Sequence, residues 1–319
     1  MVFAKALWLS MLGAGLLGSQ PSLETQATAD PVLSKAIAFA KEKAFKAPSV
    51  DWPAVEAEAT AKWLAAPGED GRTAAIRHVL GALKDGHSSY RPPDTYKSDP
   101  GAMRHSPAEP IARADVAEGR FGRLVINGWS GDSSQVPAAT ALVRNELRKA
   151  MSIGSCGLIV DVATNSGGNM WPMMGGLAPL YEEGTLETFE GRDGTIIVNV
   201  RNGLLRKNDH VYPLVEALPK LDAKPKFVAI IIGRKTASSG EILALGFKHQ
   251  ANARSFGRAT AGATTANSSI RLPNGGLLAI TSSRIRDRAG AVQHGPLVPD
   301  ELSEQPLHAA QDWLAERCE

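Results

Sequence analysis

Two adjacent serines, Ser238 and Ser239, lie in FVAIIIGRKTASSGEILALGF (227–247), where an unbroken apolar run passes through a polar turn into a segment of helical period. A strand that becomes a helix over a few residues carries a side chain to the carboxyl edge of its sheet. Free backbone N–H groups at the helix start then lie beside that side chain. A hydroxyl so placed suits an attack that creates an oxyanion, because preorganised donors stabilise the developing charge. Serine and threonine are also good N-caps, so the string equally fits a turn with no chemistry.

A second turn repeats the pattern. LIVDVATNSGGNMWP sets Gly167 and Gly168 directly after another apolar run, where a backbone N–H can come close to a ligand. A phosphate cradle is the weaker reading of this turn, since no G-x-x-x-x-G-K-[ST] string occurs. A serine nucleophile needs a base. Of the seven histidines, His78 falls in a helical stretch, His249 near a helix end, and His210 and His308 in polar contexts. His105 stands in a segment rich in proline, alanine and glycine, His294 in AVQHGPLVPD, and His87 in the loop LKDGHSSYRPP. Residue types alone do not choose among them.

The elements that must position these groups follow from hydrophobic period. Asp30-Pro31 reads as an N-cap and first helical position, and helical spacing of apolar residues continues in three segments through residue 84. From 120 onward, GRLVING, CGLIVDV and FVAIIIG read as buried strands and SSQVPAATALVRNELRKAM as an amphipathic helix. TIIVNV, ARSFG and SSIRLPNGGLLAITSSRI add β-segments, and a last helix spans Leu307–Arg317. Fully apolar strands alternating with helices predict an α/β core with both sheet faces covered.

Bulk properties narrow the function. With 43% hydrophobic and 21% charged residues over 319 positions, the chain is ordinary globular material. A formal charge of +2 without basic runs argues against a nucleic-acid partner. Lys5 followed by ALWLSMLGAGLLG and ending at Ala27-Thr28-Ala29 reads as an export signal. The chain is therefore expected in the periplasm or outside the cell, or held at a membrane if the segment is retained. Cys156, just before a buried strand, reads as a small core residue, with pairing to Cys318 left open. No H-E-x-x-H string or His/Asp/Glu cluster is present, so no metal or other cofactor is implied.

Taken in series, LKDGHSSYRPPDTY, GRLVINGWSGDS, GLIVDVATNSGGN, TASSGEILA and GPLVPDE resemble the tail-specific (C-terminal processing) serine peptidase family. The resemblance covers about Leu83 to Leu302. The glycine string is similar to G-L-I-x-D-x-R-x-N-x-G-G, with Ala163 where arginine is usual, and the serine string to T/S-A-S-x-x-E. GNMWPMMGGLAPL and TTANSSIRLPNGGLLAITSSRIRDRAG point to the short branch that includes nisin-resistance proteases. Only about twenty residues separate Tyr96 from the core strand, which leaves no room for the PDZ domain of longer members. The catalytic lysine of many members is replaced by Ala263 in GRATAGA, whereas Asp85-Gly86-His87 matches the branch that uses histidine.

The resemblance implies a crotonase-like α/β core and a Ser–His dyad. Ser238 would be the nucleophile and His87 the general base. The N–H groups of Ser239 and Gly167 would form the oxyanion hole. Glu241, Asp300 and Ser88 are the candidates for orienting His87, and Asn169 and Met170 would line the cleft. Residues 1–29 would then be the signal, 30–97 a helical segment ending in the histidine loop, 98–118 a linker or lid, and 119–319 the protease core. The implied activity is cleavage of peptide or protein substrates near their C-termini through an acyl-enzyme. A non-catalytic binder of apolar ligands or peptides on the same fold and an esterase are the alternatives.

Overall fold

In the computed structural model, residues 30–93, 110–116, 121–152, 156–215, 218, 221 and 223–318 are described. The export signal and most of the linker read from the sequence lie outside them. The chain runs through helices α1 (Pro31–Lys43), α2 (Trp52–Ala65) and α3 (Glu69–Leu83), then strands β1 (Ser89–Arg91), β2 (Ala112–Val116) and β3 (Gly122–Ile126). Next come α4 (Val136–Met151), β4 (Gly157–Asp161), α5 (Met170–Leu177), β5 (Gly184–Gly191), β6 (Gly194–Arg201), β7 (Leu204–Lys207) and β8 (His210–Val211). The last part holds β9 (Phe227–Ile232), α6 (Ser239–Leu245), β10 (Ala253–Gly257), β11 (Thr265–Arg271), β12 (Leu277–Asp287), β13 (Glu301–Leu302) and α7 (Pro306–Arg317).

The apolar runs form one sheet in the order β13-β10-β9-β4-β3-β2, parallel except for β2. Alternate residues explain why these strands are apolar throughout. Leu158, Val160, Val228 and Ile230 pack into the main core, while Ile159, Ala229 and Ile231 pack beneath Trp313 and Leu314 of α7. With both faces covered, neither set can be polar. β2 falls inside the stretch read as a linker or lid. Its sequence ARADV is too polar for a central strand, and among the described residues it pairs only with β3, at the edge of the sheet.

A second sheet, entirely antiparallel, went unrecognised in the sequence apart from isolated segments. Its spine is the eleven-residue β12. On one side the first half of β12 pairs with β1 and the second half with β5; β11 runs along the other side. The three N-terminal helices close over this sheet. Leu33, Phe39, Ile76 and Leu83 meet Tyr90, Leu278 and Ile280 in a separate apolar cluster. The Tyr90 hydroxyl donates to Glu69 Oε1 at 3.0 Å and accepts from Asn274 Nδ2 at 2.8 Å, fastening α3 to β1. Burial pushes that phenol up to about 12, so it stays a donor at any physiological pH.

Cys156 is not the small core residue expected. It forms a disulfide with Cys318, because α7 crosses the sheet face and returns its C-terminal end to the start of β4. The bond closes a loop of 162 positions. A Cys156→Ser/Cys318→Ser variant is expected to lose about 2–4 kcal/mol of stability. Urea unfolding with and without reductant checks this: reductant should lower the wild type to the level of the variant and leave the variant unchanged.

Candidate active site

The serine and glycine turns form one unit at the carboxyl ends of β9 and β4. Fully buried Thr236 donates its hydroxyl to the Val162 carbonyl at 2.8 Å and accepts the Gly233 N–H at 2.9 Å, tying the two strand ends together. Asn165, also fully buried, accepts the Gly167 N–H on Oδ1 at 2.9 Å, and its carbonyl accepts the Ala237 N–H at 2.9 Å. Ser239 donates its hydroxyl to the Gly168 carbonyl at 2.5 Å. Steric constraint explains the double glycine. A Cβ at Gly167 would lie 2.8 Å from the Ser238 Cβ, and one at Gly168 would lie 2.1 Å from the Trp129 carbonyl oxygen.

Ser238 itself has φ 51° and ψ −118°. A non-glycine residue held there costs on the order of 1–3 kcal/mol and persists only where its surroundings over-determine it. The fully buried Glu241 supplies that constraint. Its Oε2 accepts the Ser238 N–H at 2.9 Å; its Oε1 accepts the Gly262 N–H at 2.8 Å and the Thr260 hydroxyl. The string GRATAGA, where a catalytic lysine is absent, therefore serves to hold Glu241. A strained strand-to-helix turn of this kind is the general way to present a nucleophile's oxygen above a sheet edge.

His87 arrives from the other sheet. Asp85 Oδ1 accepts the N–H groups of His87 at 3.0 Å and Ser88 at 2.8 Å, and Oδ2 accepts the Ser88 hydroxyl at 2.6 Å. Ser88 Oγ in turn accepts the Thr281 N–H at 2.9 Å, which anchors the loop to β12. The imidazole Nδ1 is 2.7 Å from Thr265 Oγ1. With the proton on Nδ1 donated to Thr265, Nε2 keeps its lone pair for an incoming proton. Burial lowers the pKa of His87 below its ordinary value, against the opposing charge of Asp85.

His87, Ser238, Ser239, Asn169 and Met170 line one cavity of about 640 Å³, together with Gly168 and Thr265. Four of the expected residues need correction. Gly167 is not the available donor, since its N–H is held by Asn165; Gly168 lines the cavity, and among the described residues the N–H groups of Gly168 and Ser239 have no acceptor. Glu241 braces the serine turn, and Ser88 braces the loop, so neither faces the imidazole. Asp300 accepts from Ser255 N and Oγ at 2.8 and 2.7 Å on the exposed edge by β10. The partner of the His87 ring is Thr265, which stands second in the TTANSSIRLPNGG string but was given no role there. A larger cavity of about 780 Å³, lined by Arg123, Asp161 and His308 among others, contains none of these groups.

The sequence pattern of peptidase family S41 matches residues 120–302. The nisin-resistance protein of Lactococcus lactis subsp. lactis is 31% identical over 199 residues, 62% of this chain and 61% of that protein. The match thus spans about three fifths of that relative's length. A solved structure of a lipoprotein from Streptococcus agalactiae has 25% identity and a TM-score of 0.72, covering 96% of this chain and all of that one. A photosystem II D1 C-terminal processing protease shares the fold at 14% identity, with a TM-score of 0.55 over 89% of this chain and 94% of its own.

Two outcomes follow from the geometry. Glu241→Ala strands three donors and is expected to cost about 3–5 kcal/mol, each unsatisfied buried group costing about 1–3 kcal/mol; urea denaturation measures it. NMR titration of the His87 ring should give a midpoint below about 6.5. In that window the unfolded chain binds the proton that the folded one refuses, so His87 lowers stability as pH falls through it. A midpoint at or above the ordinary value would contradict the buried placement.

Proposed function

The chain belongs to peptidase family S41, and on that premise we propose that it is an exported serine peptidase acting through Ser238 and His87. The observation that carries this reading is their presence on the walls of one cavity, beside two N–H groups that have no acceptor among the described residues. Ser238 Oγ attacks the scissile carbonyl as His87 Nε2 takes its proton; the oxyanion is met by the N–H groups of Ser239 and Gly168. The C–N bond breaks as His87 returns that proton to the leaving amine. Water, deprotonated by the same imidazole, then releases the acyl group from Ser238. Thr265 keeps the ring in the tautomer these steps need.

Several features support the finer parts of the proposal. β11, which carries Thr265 and much of the cavity wall, pairs among the described residues only with β12. A strand edge of this kind suits an extended peptide better than a small ester, because main-chain bonds can continue the sheet. The parallel sheet with its carboxyl-edge site fits a crotonase-like core. The short span between the histidine loop and β3 argues against a PDZ domain, so chain ends would be recognised in the cleft itself. The Cys156–Cys318 disulfide favours an oxidising compartment, in keeping with the export signal read at residues 1–29. Among the described residues no helix is long and apolar enough to cross a membrane.

Ser238→Ala and His87→Ala are each expected to lower peptide hydrolysis by at least about 10³-fold, with circular dichroism unchanged. Mass spectrometry of a peptide mixture incubated with wild type and Ser238→Ala gives both activity and cleavage position. A fluorophosphonate should label Ser238. Full activity in either variant, or labelling of Ser239 instead, would reject the dyad. Uptake of an apolar ligand with no peptide turnover would favour the binding-protein alternative.

A further inference from the structure

The cavity holding Ser238 and His87 is one-sided in charge. Among the described residues its walls carry Arg91 and Lys207 but no aspartate or glutamate. The remaining polar lining is hydroxyl, amide and the His87 imidazole, so no anionic side chain on this surface neutralises either cation.

Lys207, half-buried at the end of β7, is the more constrained of the two. Its Nζ lies 5.7 Å from the centroid of the Trp171 ring and 5.9 Å from that of Tyr212, and the two rings meet edge to face at 4.8 Å. No acidic group pairs with this ammonium among the described residues. Other lysines contrast with it: Lys248 pairs with Asp287 at 3.1 Å and Lys43 with Asp193 at 2.7 Å. Aromatic faces hold a cation in place without cancelling its charge. Trp171 follows Gly168 by three residues, so the ammonium is tied to the wall built by the glycine turn. Arg91 stands on β1 and lines the same cavity as His87. A volume of about 640 Å³ is that of a ligand pocket, suited to a short end of chain.

We infer that Lys207 is the specificity-determining residue of this cleft, and that it selects peptides presenting a carboxylate. For turnover the inference rests on the peptidase reading; for binding it does not. The ammonium of Lys207 meets the carboxylate, and the absence of acidic walls leaves that attraction uncontested. A polybasic segment is disfavoured in the same cavity for the converse reason.

The test uses pooled octapeptides made as free acids, as C-terminal amides, and as amides with one glutamate. Binding is measured first to Ser238→Ala by fluorescence anisotropy, then kcat/KM with active enzyme. The acid pool is expected to bind at least about tenfold tighter than the amide pool, with the preference shrinking as salt rises. Lys207→Met should erase the preference and leave binding of the amide pool unchanged. A response to glutamate amides equal to that of the acids would identify a side-chain carboxylate as the ligand, and a response to acids alone the chain terminus; either upholds the inference. Equal discrimination by Lys207→Met and wild type would overturn it. So would transfer of the effect to Arg91→Met, or loss of both pools in Lys207→Met, which would mark a merely structural role. Selective binding of acids with no cleavage of any pool would leave the carboxylate site standing and remove the peptidase reading.

Discussion

A buried carboxylate with three donors on it is the constraint from which the site is built. Glu241 gathers the Ser238 N–H, the Thr260 hydroxyl and the Gly262 N–H, and the energy of those bonds offsets the unfavourable backbone at Ser238. The serine is therefore fixed by its main chain, and its side chain needs no partner to define where it stands. Everything nearby accommodates that fixed point. Gly167 has no Cβ because the Ser238 Cβ occupies the space, and the Ser239 hydroxyl is spent on clamping the Gly168 carbonyl. Among the described residues, the N–H groups of Gly168 and Ser239, both on residues that line the cavity, have no acceptor.

The histidine is held by an independent device. Asp85 organises the loop after α3, Gly86 supplies the positive φ of 70° that the turn needs, and Ser88 fastens the loop to β12. The N-terminal helices contribute by packing Leu83 and Tyr90 against Leu278 and Ile280, so the loop stands on a rigid base. The ring is then turned by Thr265, from the neighbouring β11. Helices far along the chain from Ser238 thus set the position of His87, the proposed base.

Much of the serine and glycine unit was legible in the sequence because it is local. Thr236, Ser238 and Glu241 fall within six positions, and apolar runs of period one mark the strands that end in the two turns. The less legible parts depend on pairing between distant segments. Thr265 reaches His87 across 178 positions, and only the register of β1 and β11 on β12 brings them together. Gly167 and Gly168 are indistinguishable as letters; which N–H faces the cavity is decided by the amide oxygen of Asn165. The disulfide is hidden for the same reason, since it depends on where α7 ends. The antiparallel sheet was obscured by its mixed, half-exposed strands, such as the burial pattern of β6.

The two members of the proposed catalytic pair stand on different sheets, one on the parallel strands and one on a loop fastened to the antiparallel spine. Neither sheet contains a complete set of reacting groups. A chain in which only one layer has formed would hold only half of that proposed pair. On the proposed mechanism, the reactive arrangement therefore exists only where the two sheets are docked against each other.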